Sequence, residues 1–140
     1  MSDQKENGTT LLSTNALVAV GTAANGTKAI LYTVPAGKRC IVTHVIIRDP
    51  SGTLAGCNNV DFGTGVACAT ENFLNAEAGI VDVTATDDYM TLVAVSDDYK
   101  IIDGDAAAAV DREFGIQIIA GATAAAATAT IDVFGYLFDS

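Results

Sequence analysis

Tyr32-Thr33-Val34-Pro35-Ala36-Gly37-Lys38, continued after Arg39 by Cys40-Ile41-Val42-Thr43-His44-Val45-Ile46-Ile47-Arg48, is the stretch on which the fold assignment rests. Proline fixes one backbone angle and glycine tolerates positive φ, so Pro35-Ala36-Gly37 predicts a chain reversal between two β-rich runs. Side chains on a strand alternate with a period of two. That places Ile41, Thr43, Val45 and Ile47 on one face and Val42, His44, Ile46 and Arg48 on the other. Both faces are largely apolar, and such a strand is either central in its sheet or covered on its second side by a partner. Asp49, Pro50, Ser51 and Gly52 repeat the turn device directly after it.

On either side of this unit, short runs rich in Val, Ile, Thr and Ala recur between Gly, Asn, Asp and Pro punctuation, the pattern of an all-β sandwich. Strands are expected at 17–20, 27–34, 40–48, 59–62, 79–83, 90–95, 114–120 and 128–137. Eight strands fit a jelly-roll-like sandwich. The chain's 140 residues are enough for one domain with a proper core. Half of them are hydrophobic but only 6% are aromatic and none is Trp, so the core must be built mainly of aliphatic side chains. The polar opening, residues 1–10, has no periodicity and reads as a flexible arm. We set the boundary at an arm of 1–15 and a sandwich of 16–140. The Ala-rich tract 106–109, with Asp105 as a possible cap, could form a short helix.

The last expected strand carries the second informative pattern. Ile131, Val133 and Leu137 share one face, and Phe134, Tyr136 and Phe138 share the other. Either the strand is buried on both sides within the sandwich, or this aromatic stripe meets another subunit, as contiguous apolar surface commonly does.

Charge and residue usage exclude several function classes. A net charge of -10 argues against nucleic acid, since phosphate binding is carried by Lys and Arg. Residues 71–113 hold eleven of the seventeen acidic groups and two of the seven basic ones, so most of the field comes from the middle of the chain. Acidic pairs such as Asp87-Asp88 and Asp97-Asp98 read as solvated turns that protect strand edges. No apolar run is rich enough in Leu, Ile and Phe to cross a bilayer, and the acidic start is unlike a signal peptide. Three cysteines at 40, 57 and 68 match no disulfide or zinc framework and are expected to be reduced and buried, as suits synthesis in a cytoplasm.

The chemistry-bearing candidates are few. Cys40 and His44 on one straight strand would stand about 13 Å apart, too far to share an ion. Asp103-Gly104-Asp105 lacks the remaining oxygen ligands of a calcium loop and reads as a turn. Asp61-Phe62-Gly63 and Gly63-Thr64-Gly65 lack the companion motifs of a kinase or a dinucleotide site. A nucleophilic triad would have to be built on His44, the one histidine, in the middle of an apolar strand. The expectation is a non-enzymatic protein with no cofactor and no metal.

The unit from Tyr32 to Lys38 with the apolar strand 40–48 resembles the strand, Pro-Ala-Gly-Lys turn, strand unit that recurs in small virion proteins of tailed bacteriophages. Length, Ala and Thr bias, acidity and strand count are similar to those of the jelly-roll cement, or decoration, proteins of that group. The resemblance implies a virion structural protein on the outer surface of an HK97-like capsid. Its partner would be the major capsid protein, and it would cement neighbouring capsomers as a homo-oligomer. A dimer would use one self-complementary patch, for which Phe134, Tyr136 and Phe138 are the candidates. Lys38, Arg39 and Arg48, near the two turns, are candidates for contact with acidic groups of the capsid. The alternative is a carbohydrate-binding or receptor-binding β module of a phage tail or cell surface, because fold alone does not choose function.

Overall fold

Residues 9–20, 28–57, 59–68, 72–77, 79–94, 101–118 and 127–140 are described by the structure, a computed structural model. The strands are β1 (Thr10–Val18), β2 (Ala29–Thr33), β3 (Lys38–Arg48), β4 (Val60–Gly63), β5 (Asn72–Glu77), β6 (Tyr89–Val93), β7 (Ile102–Asp103), β8 (Glu113–Ile118) and β9 (Ala129–Asp139). They form two antiparallel sheets. The first has the order β1-β9-β3-β6, with the short β7 also on β3, and the second has the order β2-β8-β4-β5.

The pairing is nested. With β7 set aside, β1 pairs β9, β2 pairs β8, β3 pairs β6 and β4 pairs β5. One long hairpin is thus rolled so that successive pairs fall alternately into the two sheets, which is the jelly-roll path the strand count suggested. The reversal that starts it is as expected. Lys38 N–H donates to Pro35 O at 3.1 Å, and Gly37 adopts φ 74°, the positive angle required at the third position of a type II turn.

Between the sheets, Val42, Val45 and Ile47 of β3 and Ile131 and Val133 of β9 pack toward Leu31, Val60, Phe62, Phe114 and Ile116 of the second sheet. Phe62, Phe73 and Phe114 make an aromatic knot inside this aliphatic core, with ring centroids 5.6 to 6.4 Å apart. These separations suit the edge-to-face and offset contacts that aromatic quadrupoles favour.

The alternation read along 40–48 is broken in the middle. The β3–β9 register shifts between Val42 and His44, a β-bulge that leaves Thr43 as the extra residue. Cys40, Val42, Val45 and Ile47 therefore face the core, while Ile41, His44, Ile46 and Arg48 lie on positions that face outward. A bulge reverses the parity of every residue beyond it. It thereby moves Val42 to the core side and Ile41 to the outer side, against the simple period-two assignment. The same bulge brings the Ile41 carbonyl against β9, where a Cβ on Gly135 would lie 2.2 Å from that oxygen.

Other elements also differ from expectation. Residues 79–83 are not a strand but a 3-10 turn, Gly79–Asp82. Ile80 and Val83 are buried there because the turn lies against the core, an origin of hydrophobicity that a short apolar run does not distinguish from a strand. Strand β5 was not anticipated, its Asn and Glu content being poor in β-formers. The short helix appears as a 3-10 turn three residues later, Ala109–Arg112, without a side-chain cap. Asp105 instead accepts the Gly37 N–H at 2.9 Å. Strand β1 begins at Thr10, so residues 10–15, assigned to the arm, pair with β9. The arm segment 1–8 and the acidic pair Asp97-Asp98 lie outside the described residues. At the other acidic pair, the Asp88 carboxylate accepts the Thr84 and Ala85 N–H groups at 2.9 and 2.8 Å, which holds it below the usual carboxylate range.

Candidate binding face

The outer surface of the first sheet gathers most of the residues singled out from sequence. The β3–β9, β3–β6 and β1–β9 registers put Leu11, Phe134, His44 and Val93 in one row across four strands. Tyr136 and Ile41 form the next row toward the turn at Pro35, and Phe138 and Arg39 the row beyond, with Asp103 of β7 beside Arg39. In the other direction come Asp132 with Ile46, then Thr130 with Arg48 and Tyr89. The strand carrying the aromatic stripe is therefore not buried on both sides: Tyr136 is 39% and Phe138 38% exposed. Phe134 is partly covered by His44, whose ring stacks on it at 4.5 Å and 6°. Leu11 and Val93 are exposed beside them, and Tyr89 is 72% exposed.

Three members of this patch, Leu11, Ile41 and Val93, were not legible in the sequence as surface. The bulge separates Ile41 from Val45 and Ile47, with which simple alternation groups it, and the other two sit in strands whose register nothing local fixes.

Both ends of the face carry ion pairs. Arg48 Nε donates to Asp132 Oδ2 at 2.7 Å, and Asp132 is nearly buried beneath it. Arg39 Nη2 lies 3.6 Å from Asp103 Oδ2. Lys38 pairs with Asp139 at the strand end, and its hydrogen bond and charge hold the Asp139 carboxyl below the usual range. All three cations proposed to reach outward thus already have an acidic partner within the chain. Arg39 and Arg48 occupy opposite ends of one face, and Lys38 lies beside the Pro35–Gly37 turn. Ser140 N–H donates to Gly37 O at 3.1 Å, which ties Ser140 to the same corner.

His44 is half-buried, and its Nδ1 lies 3.1 Å from Thr43 Oγ1. The bulge separates it from Cys40, which points into the core, so the two do not share a site. Burial lowers the His44 pKa from 6.5. For a group with a depressed imidazole pKa the neutral form is favoured by folding, so its contribution to stability is complete above about pH 6.5 and is lost as pH falls below that value. Proton NMR titration of the His44 ring should give a midpoint below that of an unfolded reference. A midpoint at or above the reference would mean the ring is neither covered nor stacked as described.

The remaining candidates are structural in their contacts. Cys40, Cys57 and Cys68 are free and buried, and burial pushes the thiols of Cys40 and Cys68 up to about 12, leaving them protonated and poor nucleophiles. In the acidic loop, Asp103 Oδ1 accepts the Asp105 N–H at 2.9 Å, a local turn bond. Asp61 lies buried in β4 opposite Gln117. Lys28, also nearly buried, donates to the Val110 and Glu113 carbonyls at 3.1 and 2.8 Å. Among the described residues no group of three or more His, Cys, Asp or Glu is placed to hold a metal ion, and no helix is long and apolar enough to cross a membrane.

The fold and face define an all-β jelly-roll sandwich with an apolar outer sheet surface. A scan against protein-family models, a search of curated proteins and a search of solved structures each returned no significant match.

Proposed function

We propose that this chain is a virion structural protein that binds the outer surface of an HK97-like phage capsid and cements neighbouring capsomers. The observation that carries the reading is the outer face of the first sheet: an apolar centre with ion pairs at both ends, on a rolled sandwich clamped at one corner. That is the composition of a protein contact, with an apolar middle and a polar rim. The Pro35–Lys38 turn and the strand after it, from which the resemblance to phage cement proteins was drawn, form that clamped corner and the centre of that sheet.

A cement protein joins subunits that internal pressure would separate, and many copies on one shell act together, so each contact need bury only the ordinary interface of roughly 1,600 Å² in total. Lys38 and Arg39 are the better placed of the three proposed capsid contacts. Their pairs are exposed, and exposed ion pairs exchange partners at little cost. Arg48 is held by Asp132, whose carboxylate would be left nearly buried and unpaired if Arg48 turned outward. The K38S/R39S/R48S variant should show reduced occupancy on purified particles, measured as its copy number relative to the major capsid protein; full occupancy would remove the assignment of these contacts. The exposed Tyr89 and Tyr136 on one face favour the second reading, a carbohydrate-binding module, because aromatic rings can stack on sugars. Specific signals on a glycan array, with no copies on particles, would select it.

A further inference from the structure

We infer that His44 is an acid-sensitive switch at the centre of the capsid contact: the face binds while the imidazole is neutral and releases its partner once the ring takes a proton. The inference rests on the capsid reading and adds to it how that contact is regulated.

Position makes the ring part of the contact. The β3–β9 and β3–β6 registers set His44 between Phe134 and Val93, in the row that crosses the middle of the face. Its ring lies flat on Phe134, with centroids 4.5 Å apart and planes 6° from parallel. While neutral, it extends the apolar patch. Leu11 and Val93 are both more than half exposed in the same row, so a partner that covers them covers His44 as well.

Among the described residues, nothing around the ring is placed to neutralise a positive charge. Strand β1 carries no charged side chain. On β6 the titratable side chain is Tyr89, which stands opposite Arg48. On β9, Asp132 lies two residues from Phe134, but its carboxylate is held by Arg48, with Nε at 2.7 Å and Nη2 at 3.5 Å. Tyr136, two residues the other way, bears a phenol, and Asp139 at the strand end is paired with Lys38. Asp103 of β7 lies 3.6 Å from Arg39. Within β3 itself, Lys38, Arg39 and Arg48 add positive charge only. The polar contact of the ring is Thr43 Oγ1, 3.1 Å from Nδ1, and that hydroxyl also donates to the Phe134 carbonyl at 3.3 Å. A hydroxyl can accept from a protonated ring without cancelling its charge.

Covering an imidazolium with an apolar partner strips water from an unpaired charge, a cost the neutral ring does not carry. Binding therefore selects the neutral form. Burial already lowers the His44 pKa from 6.5, so the free chain holds the binding form at neutral pH. Acid reduces the competent fraction. One pH unit below the midpoint of the ring, about one chain in eleven is competent, and the apparent dissociation constant rises by that factor.

Co-sedimentation with shells of the major capsid protein tests this, comparing the native chain with H44F. Phenylalanine keeps a ring on Phe134 and cannot take a proton; circular dichroism verifies the fold of both chains at both pH values. Binding is measured at about pH 7.5, where a histidine ring is neutral, and at one unit below the midpoint found by NMR. The expected result is a dissociation constant about tenfold higher at the lower pH for the native chain and changed less than about twofold for H44F. Taking the ratio of the two chains on the same shells removes any titration of the capsid itself. A native chain that binds equally at both pH values overturns the inference and leaves the capsid reading standing, and so does an H44F chain that weakens as much as the native one. If neither chain pellets at either pH, the capsid reading falls and the inference with it.

Discussion

Phe114→Ala should lower the free energy of unfolding by about 3–5 kcal/mol, the loss seen when a buried aromatic is truncated and the cavity cannot collapse. Phe114 is 1% exposed, and its ring meets Phe73 edge-on at 5.6 Å and Phe62 at 6.2 Å. The rest of the core is aliphatic, so removing one ring breaks two aromatic contacts as well as leaving a void that β-branched neighbours are too stiff to fill. Against a total stability of 5–15 kcal/mol typical of domains, this is a large share. Chemical denaturation monitored by far-ultraviolet circular dichroism would measure it, and a change below about 1 kcal/mol would mean the knot is not packed as described.

Gly135→Val should be of similar size, about 3 kcal/mol, at the upper end of what overpacking costs. Any Cβ there meets the Ile41 carbonyl oxygen at 2.2 Å and its carbon at 3.1 Å. Both are backbone atoms, so no rotamer change relieves the clash, and the β3–β9 pairing must open at the bulge. The loss would extend to the neighbouring His44–Phe134 stack. Gly52→Ala is the control: nothing lies within 4 Å of the added Cβ, and its effect should be within about 0.5 kcal/mol. Equal effects at the two positions would show that the close approach at the bulge is absent.

These two sites also mark the limits of what the sequence discloses. The Pro35–Gly37 reversal, the apolar strand after it and the aromatic stripe of β9 were legible because they depend on local chemistry: a fixed proline φ, a glycine at positive φ and period-two alternation. The bulge at Thr43 was not, because it arises from how β3 meets β9, ninety residues away in sequence. One consequence is that Ile41 lies on the face opposite Val45 and Ile47, with which simple alternation groups it. Gly135, which marks the bulge from the opposite strand, reads in isolation as an ordinary glycine in a strand. Residues 79–83, a 3-10 turn over Gly79–Asp82, read from sequence like a strand because an apolar segment packed against a core and a buried strand share one composition. Of the candidate contact face, the half on β9 and the cations of β3 could be named from sequence. Leu11 and Val93 entered it only through register, which no local signal fixes.

Adhesion to a capsid is measured by co-sedimentation of the chain with intact particles. Purified chain should pellet with shells of the major capsid protein, saturate at a fixed ratio to it, and be released in mild denaturant before the shell opens. Shells carrying the chain should also open at higher denaturant than bare ones. Chain that stays in the supernatant at every ratio, or that pellets without saturating and leaves shell opening unchanged, would contradict the account.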